Sequence, residues 1–219
     1  MSYFITTPIY YVNDVPHIGH AYTTLACDVM ARFKRLDGYN VLFLTGTDEH
    51  GQKVEIAAGK NGVEPQLFTD QVSQNFRDLL PALDISNDDF IRTTEQRHKV
   101  AARVIWQKLF DNGHIYLDKY SGWYSVRDEA YFTENELIDG KAPTGAPVNW
   151  VEEESYFFNL SNWQDKLLEF YNANPNFIAP KSRFNEVVSF VKSGLRDLSI
   201  SRTSFKWGIE VPGDPRHIM

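Results

Sequence analysis

A chain of 219 residues is long enough to bury a sizeable core, as one large domain or as one domain with an insertion. Its 42% hydrophobic and 14% aromatic content is typical of a folded globular protein and argues against a disordered one. The net charge of −7 argues against a generally basic nucleic-acid-binding surface, although Arg32, Lys34 and Arg35 form a local basic cluster, as do Lys192 and Arg196.

Cys27 is the single cysteine, so an intramolecular disulfide is impossible and nothing indicates an oxidising compartment. We interpret it as a small buried residue of a helix rather than a reactive thiol. The first predicted strand begins almost at residue 1, which leaves no room for a signal peptide, and no apolar run is long enough to span a bilayer. We therefore expect a cytoplasmic protein.

The first 51 residues predict a strand, a loop, a helix and a second strand. Residues 4–10 are apolar and β-branched, and residues 40–45 form a second such run. Between them, apolar residues recur at helical spacing: Leu25, Val29, Phe33 and Leu36. A helix that joins two adjacent strands implies a right-handed parallel crossover, and such sheets bind ligands at the carboxyl ends of their strands. Two polar clusters fall on that edge.

The first cluster surrounds a predicted helix start near Pro16 or His17. Unpaired N–H groups and the positive end of the helix dipole suit a phosphate group there. His17 and His20 are three residues apart, on one face of the first turn, where both can donate to an anion. Gly19 would let a flat ligand such as a purine approach the backbone. A simple helix-capping role for the two histidines stays open as an alternative.

The second cluster is Asp48, Glu49 and His50, just past the second strand. The Asp48 carboxylate would bind an ammonium group across the crevice from the phosphate. An anion site beside a cation site is what an amino acid plus a nucleotide needs. A metal site built from these three residues is disfavoured, because three consecutive residues rarely converge on one ion.

Farther along, strands and helices continue to alternate. Residues 52–60 predict a helix, Pro65 opens another, residues 88–94 predict a strand, and a further helix ends at residues 112–113. The helix opened by Pro65 carries an apolar stripe that we interpret as core: Phe68, Val72, Phe76 and Leu79. The further helix is marked by Ala101, Val104, Ile105 and Leu109. This alternation favours an α/β fold with a doubly wound parallel sheet.

The pattern changes after residue 113. Residues 114–160 are aromatic and turn-rich, which predicts short antiparallel strands inserted into the first domain. Ser161 to Gln164 has the form of a capping box and predicts a helix start. A last helix carries Phe184, Val187 and Val191, residues 205–211 are interpreted as a strand, and residues 212–215 as a turn.

At these residues the chain resembles the class I aminoacyl-tRNA synthetases and, within that class, the methionyl-tRNA synthetase family. A His-x-Gly-His tetrapeptide alone is a weak signal, but together with the block FLTGTDEHG at residues 43–51 it becomes a strong one. The matching blocks are residues 6–13 (TTPIYYVN), 17–20 (HIGH), 43–51 (FLTGTDEHG), 120–124 (YSGWY), 153–158 (EESYFF) and 193–202 (SGLRDLSISR).

The resemblance implies activation of methionine by ATP to methionyl-adenylate and transfer of the methionyl group to tRNA(Met). It implies that His17 and His20 are catalytic, and that all four residues of this turn bind ATP: His17, Ile18, Gly19 and His20. Ile9, Tyr11 and Asp48 would bind methionine, Asp48 through the ammonium group. Arg202 would contact a phosphate or carboxylate. Mg²⁺ would arrive with ATP.

The chain also departs from the family in two places. Residues 123–129 hold no cysteine where zinc-binding relatives have their first Cys-x-x-Cys pair, so we predict no zinc. The sequence also lacks a Lys-Met-Ser-Lys-Ser-like loop and an anticodon-binding domain. It is therefore interpreted as an N-terminal fragment, inactive alone, whose tRNA contacts lie mainly elsewhere and whose apolar face another part of the protein would cover.

We therefore expect residues 1–112 to form the first half of a Rossmann-like nucleotide-binding domain. Residues 113–219 are expected to form a connective-peptide insertion of short strands and helices that returns toward the catalytic domain. Two other functions stay open: a smaller nucleotidylyltransferase with the same His-x-Gly-His turn, and a non-catalytic module that retains half of the site.

Overall fold

The computed structural model describes residues 1–12, 14–128 and 130–219, without the Tyr120 side chain. Asn13, in the first matching block, and Glu129, in the cysteine-free stretch, thus lie outside the described residues. The chain forms two compact units, one of Met1–Val104 with Phe205–Ile209 and one of Ile105–Ser204 with Glu210–Met219. In the described part of the chain, no helix has the length and apolar character needed to cross a bilayer.

The first unit is built on a parallel sheet. Its strands are β1 (Ser2–Thr6), β2 (Tyr10–Tyr11), β3 (Asn40–Asp48) and β4 (Asp89–Arg92). The central strand β3 pairs in parallel with β1 along its first half, with β2 at its end, and with β4. Three helices complete the unit, α1 (Ile18–Leu36), α2 (Gln52–Lys60) and α3 (Pro65–Ala82), and α4 (Gln96–Asp111) begins in it. This confirms the predicted α/β class.

Two strands differ from the prediction. The run over residues 4–10 forms two strands: Thr7 still donates to the Leu44 carbonyl at 3.2 Å, but Pro8 has no N–H to continue the ladder. The strand β3 continues to Asp48 instead of ending at residue 45, because β2 and β4 pair with its last residues.

The core of the first unit lies where β2, β4, α2 and α3 meet. Its buried apolar residues are Tyr10, Val12, Val54, Ala58, Phe68, Phe76 and Phe90. The indole of Trp207, in the segment 205–209, packs against this cluster. The apolar stripe predicted on α3 thus supplies Phe68 and Phe76 to the core. These two rings pack in the same cluster as Tyr10 of β2 and Phe90 of β4.

The helix α1 was predicted correctly, but the apolar spacing that predicts it does not mark its buried face. Val29 and Phe33 are exposed, whereas the buried residues are Thr24, Asp28 and Ala31. Asp28 accepts hydrogen bonds from the Ser86 N–H (2.7 Å) and hydroxyl (2.6 Å), so a polar network rather than an apolar stripe holds this side of the helix. Helical spacing therefore located the helix without locating its core face.

Cys27 is only partly buried. Its thiol lies 3.6 Å from the Thr6 carbonyl, and burial raises its pKa. The raised pKa keeps the group a thiol at neutral pH, which agrees with an unreactive side chain.

The second unit is built on an antiparallel sheet in the order β6 (Ala130–Phe132), β5 (Ile115–Ser125), β7 (Asn149–Phe158) and β8 (Leu198–Ser199). The strands β5 and β7 pair over ten residues, so the expectation of short strands is wrong for these two. Cross-strand ring contacts hold them, among them Trp123 on Trp150 with centroids 5.4 Å apart. The helices α5 (Gln164–Ala173) and α6 (Lys181–Lys192) follow β7.

Two further expectations fail. Ser161 does not cap α5: its hydroxyl donates to Asn159 at 3.1 Å and a short 3₁₀ turn, Ser161–Trp163, precedes the helix. The strand over residues 205–211 shrinks to β9 (Glu210–Val211), which pairs with β10 (Asp214–Ile218), so the turn is at 212–213. The first part of that stretch belongs to the other unit.

Candidate functional site

The start of α1 is capped by its own two histidines. Nδ1 of His17 accepts a hydrogen bond from the Gly19 N–H at 3.0 Å, and Nδ1 of His20 accepts one from the His17 N–H at 3.1 Å. The rings stack with centroids 3.8 Å apart. Because each Nδ1 is an acceptor, each neutral ring carries its proton on Nε2. The helix-capping role is therefore real, and it leaves Nε2–H as the donor of each ring.

The neutral form of His20 is also favoured electrostatically. Burial, and after it the neighbouring His17, lowers the pKa of His20. The His20 ring packs against Tyr10 and Phe76, with centroids 4.7 and 5.2 Å away. At neutral pH the ring is thus an uncharged donor with a fixed orientation.

Gly19 is required by the cap itself. A Cβ atom at this position would lie 2.9 Å from Cε1 and 3.0 Å from Nδ1 of the His17 ring. Such contacts are closer than real Cβ atoms show, so any larger residue would displace His17. The glycine has a packing reason in addition to the close ligand approach that the sequence predicts.

A cavity of about 330 Å³ opens beside this cap. Its lining residues are Ile9, Tyr10, Tyr11, Asp14, Val15, His17 and His20. The structure therefore brings together two residues predicted to bind methionine, Ile9 and Tyr11, and both predicted catalytic histidines. Ile18 belongs to the same turn, but its side chain is exposed and does not line the cavity.

Asp48 is the last residue of β3 and lies next to the cavity rather than in its lining. It pairs in register with Tyr11 of β2. Adjacent strands lie roughly 4.8 Å apart and registered neighbours point to the same face. The carboxylate and the Tyr11 ring therefore lie on one face of the sheet, and Asp48 is partly buried there.

The next two residues serve the fold rather than a metal. The Glu49 carboxylate is fully buried and is paired with Arg92 of β4 at 2.7 Å. The His50 ring packs on Trp207, and burial, followed by the charges of Lys99 and His98, lowers its pKa to about 4. Residues 48–50 thus do not converge on one ion.

Sequence reasoning missed the Glu49–Arg92 pair, although a signal for it exists. Both residues stand at the carboxyl ends of predicted strands that a parallel sheet makes neighbours, and opposite charges there can meet. In the structure, Thr47 and Arg92 are registered partners.

Arg202 lies in the second unit. Its guanidinium donates to the Ser199 hydroxyl and the Ser201 carbonyl, each at 2.7 Å, and lies 3.9 Å from the Glu153 carboxylate. It therefore contacts a carboxylate of its own unit.

Among the described residues, one group of acids and imidazole lies close enough to share a cation: Glu154, Asp214 and His217. The Arg216 guanidinium donates to both carboxylates, at 3.3 and 2.7 Å, and so supplies positive charge to this group already.

A parallel sheet whose first helix begins at a His-x-Gly-His turn defines a nucleotide-binding protein of the class I synthetase type. A family model described as "tRNA synthetases class I (M)" matches residues 3–149 and 136–219. The chain therefore belongs to this family, which confirms the resemblance of the sequence blocks.

Individual relatives carry the comparison further. The chain is 69% identical over its whole length to the methionine–tRNA ligase of Rickettsia conorii and 58% identical to that of Mesorhizobium japonicum. It spans 43% of the length of each. The structure matches Mycobacterium tuberculosis methionyl-tRNA synthetase in complex with methionyl-adenylate with a TM-score of 0.94 at 55% identity, covering all of this chain and 44% of that one. It matches the free form of that enzyme with a TM-score of 0.80, covering 42% of it.

Proposed function

We propose that this chain is part of a methionine–tRNA ligase, which activates methionine with ATP and transfers the methionyl group to tRNA(Met). The observation that carries the proposal is the cavity between β2 and α1, where Ile9 and Tyr11 meet His17 and His20. The relatives named methionine–tRNA ligase support it. Because the chain spans less than half of their length, we propose the activity for the longer protein and expect this chain alone to be inactive.

In the first step a methionine carboxylate oxygen attacks the α-phosphorus of ATP, and the bond to the β-phosphate oxygen breaks to release pyrophosphate. The Nε2–H groups of His17 and His20 would donate to the phosphate oxygens as negative charge builds on them. Residues 17–20 would hold the nucleotide at the helix start, with Gly19 against the adenosine and Ile18 contributing its backbone.

Methionine would occupy the cavity with its thioether against Ile9 and Tyr11. The Asp48 carboxylate, on the same face of the sheet as Tyr11, would bind the ammonium group. This arrangement leaves the methionine carboxylate as the end directed toward the nucleotide. Arg202 is proposed to contact a phosphate or carboxylate of the substrates.

In the second step a hydroxyl of the terminal tRNA ribose attacks the methionyl carbonyl carbon, and AMP leaves. Neither step forms a covalent bond to the enzyme, so the residues act by positioning and by stabilising charge. We propose that tRNA(Met) is bound mainly by parts of the longer protein, in the cytoplasm, where translation uses the product.

We propose that residues 1–112 form the first half of the catalytic domain and residues 113–219 the connective-peptide insertion. The parallel sheet in the first unit and the antiparallel sheet in the second support this division. The segment 205–209, which belongs to the first compact unit, supports a return of the insertion toward the catalytic domain.

We propose that magnesium arrives with ATP and is held by phosphates and water. The cavity lining offers one carboxylate, Asp14, which fits such loose binding better than a protein cage. We propose no structural zinc. Near residues 125–128, Asp128 accepts hydrogen bonds from the hydroxyls of Ser125 (2.9 Å) and Thr144 (2.6 Å), a polar cluster without the thiolate or imidazole ligands of a structural zinc site.

The test is methionine-dependent exchange of pyrophosphate into ATP by the longer protein. We expect exchange in the unaltered protein and a loss of roughly 100-fold in kcat/KM for methionine in Asp48→Asn, since a charge-assisted contact of about 3 kcal/mol is removed. Asp111→Asn, at the end of α4, serves as the matched control and should leave both constants unchanged. Absence of methionine-dependent exchange in the unaltered protein contradicts the proposal.

A further inference from the structure

Glu49 is a fully buried carboxylate that follows Asp48 directly in the chain. Its oxygens accept hydrogen bonds from the Thr47 hydroxyl (2.7 Å), from Nε and Nη2 of Arg92 (2.7 and 2.9 Å) and from the Thr94 hydroxyl. Four donors on three residues thus hold one side chain. A carboxylate so surrounded has a single orientation.

The backbone of Glu49 is held as firmly as its side chain. Its N–H donates to the Thr93 hydroxyl at 2.9 Å, and its carbonyl accepts from the indole N–H of Trp207. The Gly51 N–H donates to the Trp207 carbonyl at 3.0 Å, so the chain is fixed on both sides of His50. The peptide that leaves Asp48 therefore cannot rotate independently of β4 and of the segment 205–209.

Stability alone does not explain a charged pair at this place. Burying a carboxylate and a guanidinium costs desolvation, and apolar residues of similar volume stabilise a fold as well or better. What the pair adds is direction, because each hydrogen bond fixes an angle as well as a distance. Direction matters most where a neighbouring group has to meet a ligand.

We propose that Glu49, with Arg92 and Trp207 as its partners, is a positioning residue that fixes the Asp48 carboxylate for the ammonium group of the amino-acid substrate. The inference rests on the proposed function. The charges agree with this role: Arg92 pairs with Glu49 at 2.7 Å and with Asp70 at 2.6 Å, so the buried Glu49 carboxylate has a cation of its own.

The first test compares Glu49→Gln with Glu95→Gln in the longer protein by methionine-dependent pyrophosphate exchange. Glu95 is a matched control, since it also pairs with two arginines, Arg77 of α3 and Arg97 of α4, which both lie outside β3. We expect Glu49→Gln to raise KM for methionine about 10-fold and to change KM for ATP less than about twofold. Glu95→Gln should change neither. Equal rises in both KM values, or no rise for methionine, would overturn the inference.

A double-mutant cycle separates positioning from general stability. If Glu49 acts through Asp48, the double variant Asp48→Asn with Glu49→Gln should have the same KM for methionine as Asp48→Asn alone, within about twofold. Independent, multiplying effects would overturn the inference. Should Glu49→Gln fail to fold, Trp207→Phe keeps an aromatic ring but removes the donor to the Glu49 carbonyl, and it takes the place of Glu49→Gln in the same cycle with the same expected result.

The outcomes distinguish the two proposals. If the unaltered protein shows no methionine-dependent exchange, the proposed function fails and the inference fails with it. If exchange is present and Asp48→Asn weakens methionine binding, but Glu49→Gln matches Glu95→Gln, only the inference fails.

Discussion

The start of α1 and the end of β3 position their functional side chains in opposite ways. At the helix start, His17 and His20 are held by backbone N–H groups and keep a ring nitrogen for a ligand. At the strand end, Glu49 is buried and gives all of its hydrogen bonds to the protein, while its neighbour Asp48 is the group proposed to bind substrate. A helix start offers free backbone donors, which can hold the ligand-facing side chains without further residues. At a strand end, a second set of side chains has to hold the group that faces the ligand.

The largest effect expected at the strand end comes from Arg92→Ala. The change leaves the Glu49 carboxylate buried and without its cation, which should lower the free energy of unfolding by about 3–5 kcal/mol. Arg97→Ala is the matched control: this arginine also bridges two acids, Asp89 and Glu95, but is half exposed, so its loss should cost about 1 kcal/mol or less. Urea unfolding measures both. Equal losses in the free energy of unfolding would mean that the buried ion pair stabilises the fold no more than the exposed one.

His50 should make the strand end sensitive to acid. Its pKa is lowered from 6.5 to about 4 in the folded protein, so the unfolded chain binds the proton more readily. The corresponding stability is complete above pH 6.5 and is lost as the pH falls toward 4, by about 2 kcal/mol at pH 5. Denaturant unfolding at pH 8 and pH 5 measures this loss.

The control for this pH effect is His114→Gln, in the second unit, where the ring packs on Trp163. His50→Gln should remove about 2 kcal/mol of the difference between the two pH values, whereas His114→Gln should preserve it. An unchanged difference in His50→Gln would assign the acid sensitivity to other groups.

At the helix start, His20→Ala tests whether activity depends on the His20 ring itself. The change removes one proposed phosphate donor and the acceptor for the His17 N–H, so we expect kcat for pyrophosphate exchange to fall about 100-fold. His20→Asn, whose side-chain oxygen can accept the same N–H, separates capping from phosphate binding. If it restores activity fully, the ring nitrogen is not the donor that matters.

The smallest effect is expected from Gly19→Ala. The new Cβ would press on the His17 ring, so exchange should fall about 10-fold, while an alanine in a helix offsets much of the strain and stability should change by about 1 kcal/mol or less. The matched control is Gly59→Ala in α2, where no atom lies within 4 Å of a new Cβ. It should stabilise the protein by about 0.5–1 kcal/mol and leave activity intact. An active Gly19→Ala would show that the His17 ring can move without loss.

How much of the site could be predicted depended on the range of the interactions. The spacing of His17 and His20 and the glycine between them are local features, so the helix start was recognised from a few consecutive residues. The Glu49 and Arg92 pair joins residues 43 positions apart, and Trp207 is 158 positions from Glu49. No local pattern contains such contacts. The same reason explains why the apolar spacing of α1 does not mark its buried face, where Asp28 accepts a hydrogen bond from the distant Ser86 N–H.

The sequence by itself determined the α-helices and the central strands β3 and β4, the family, and the residues of the two polar clusters, because propensity, capping and short motifs act within a few residues. The tertiary structure decided which of those residues meet: Ile9 and Tyr11 with the histidines in one cavity, Asp48 beside Tyr11, and Glu49 in the core. Strand register and burial are set by contacts between distant parts of the chain, and a buried charge is stable only where such contacts bring its partner.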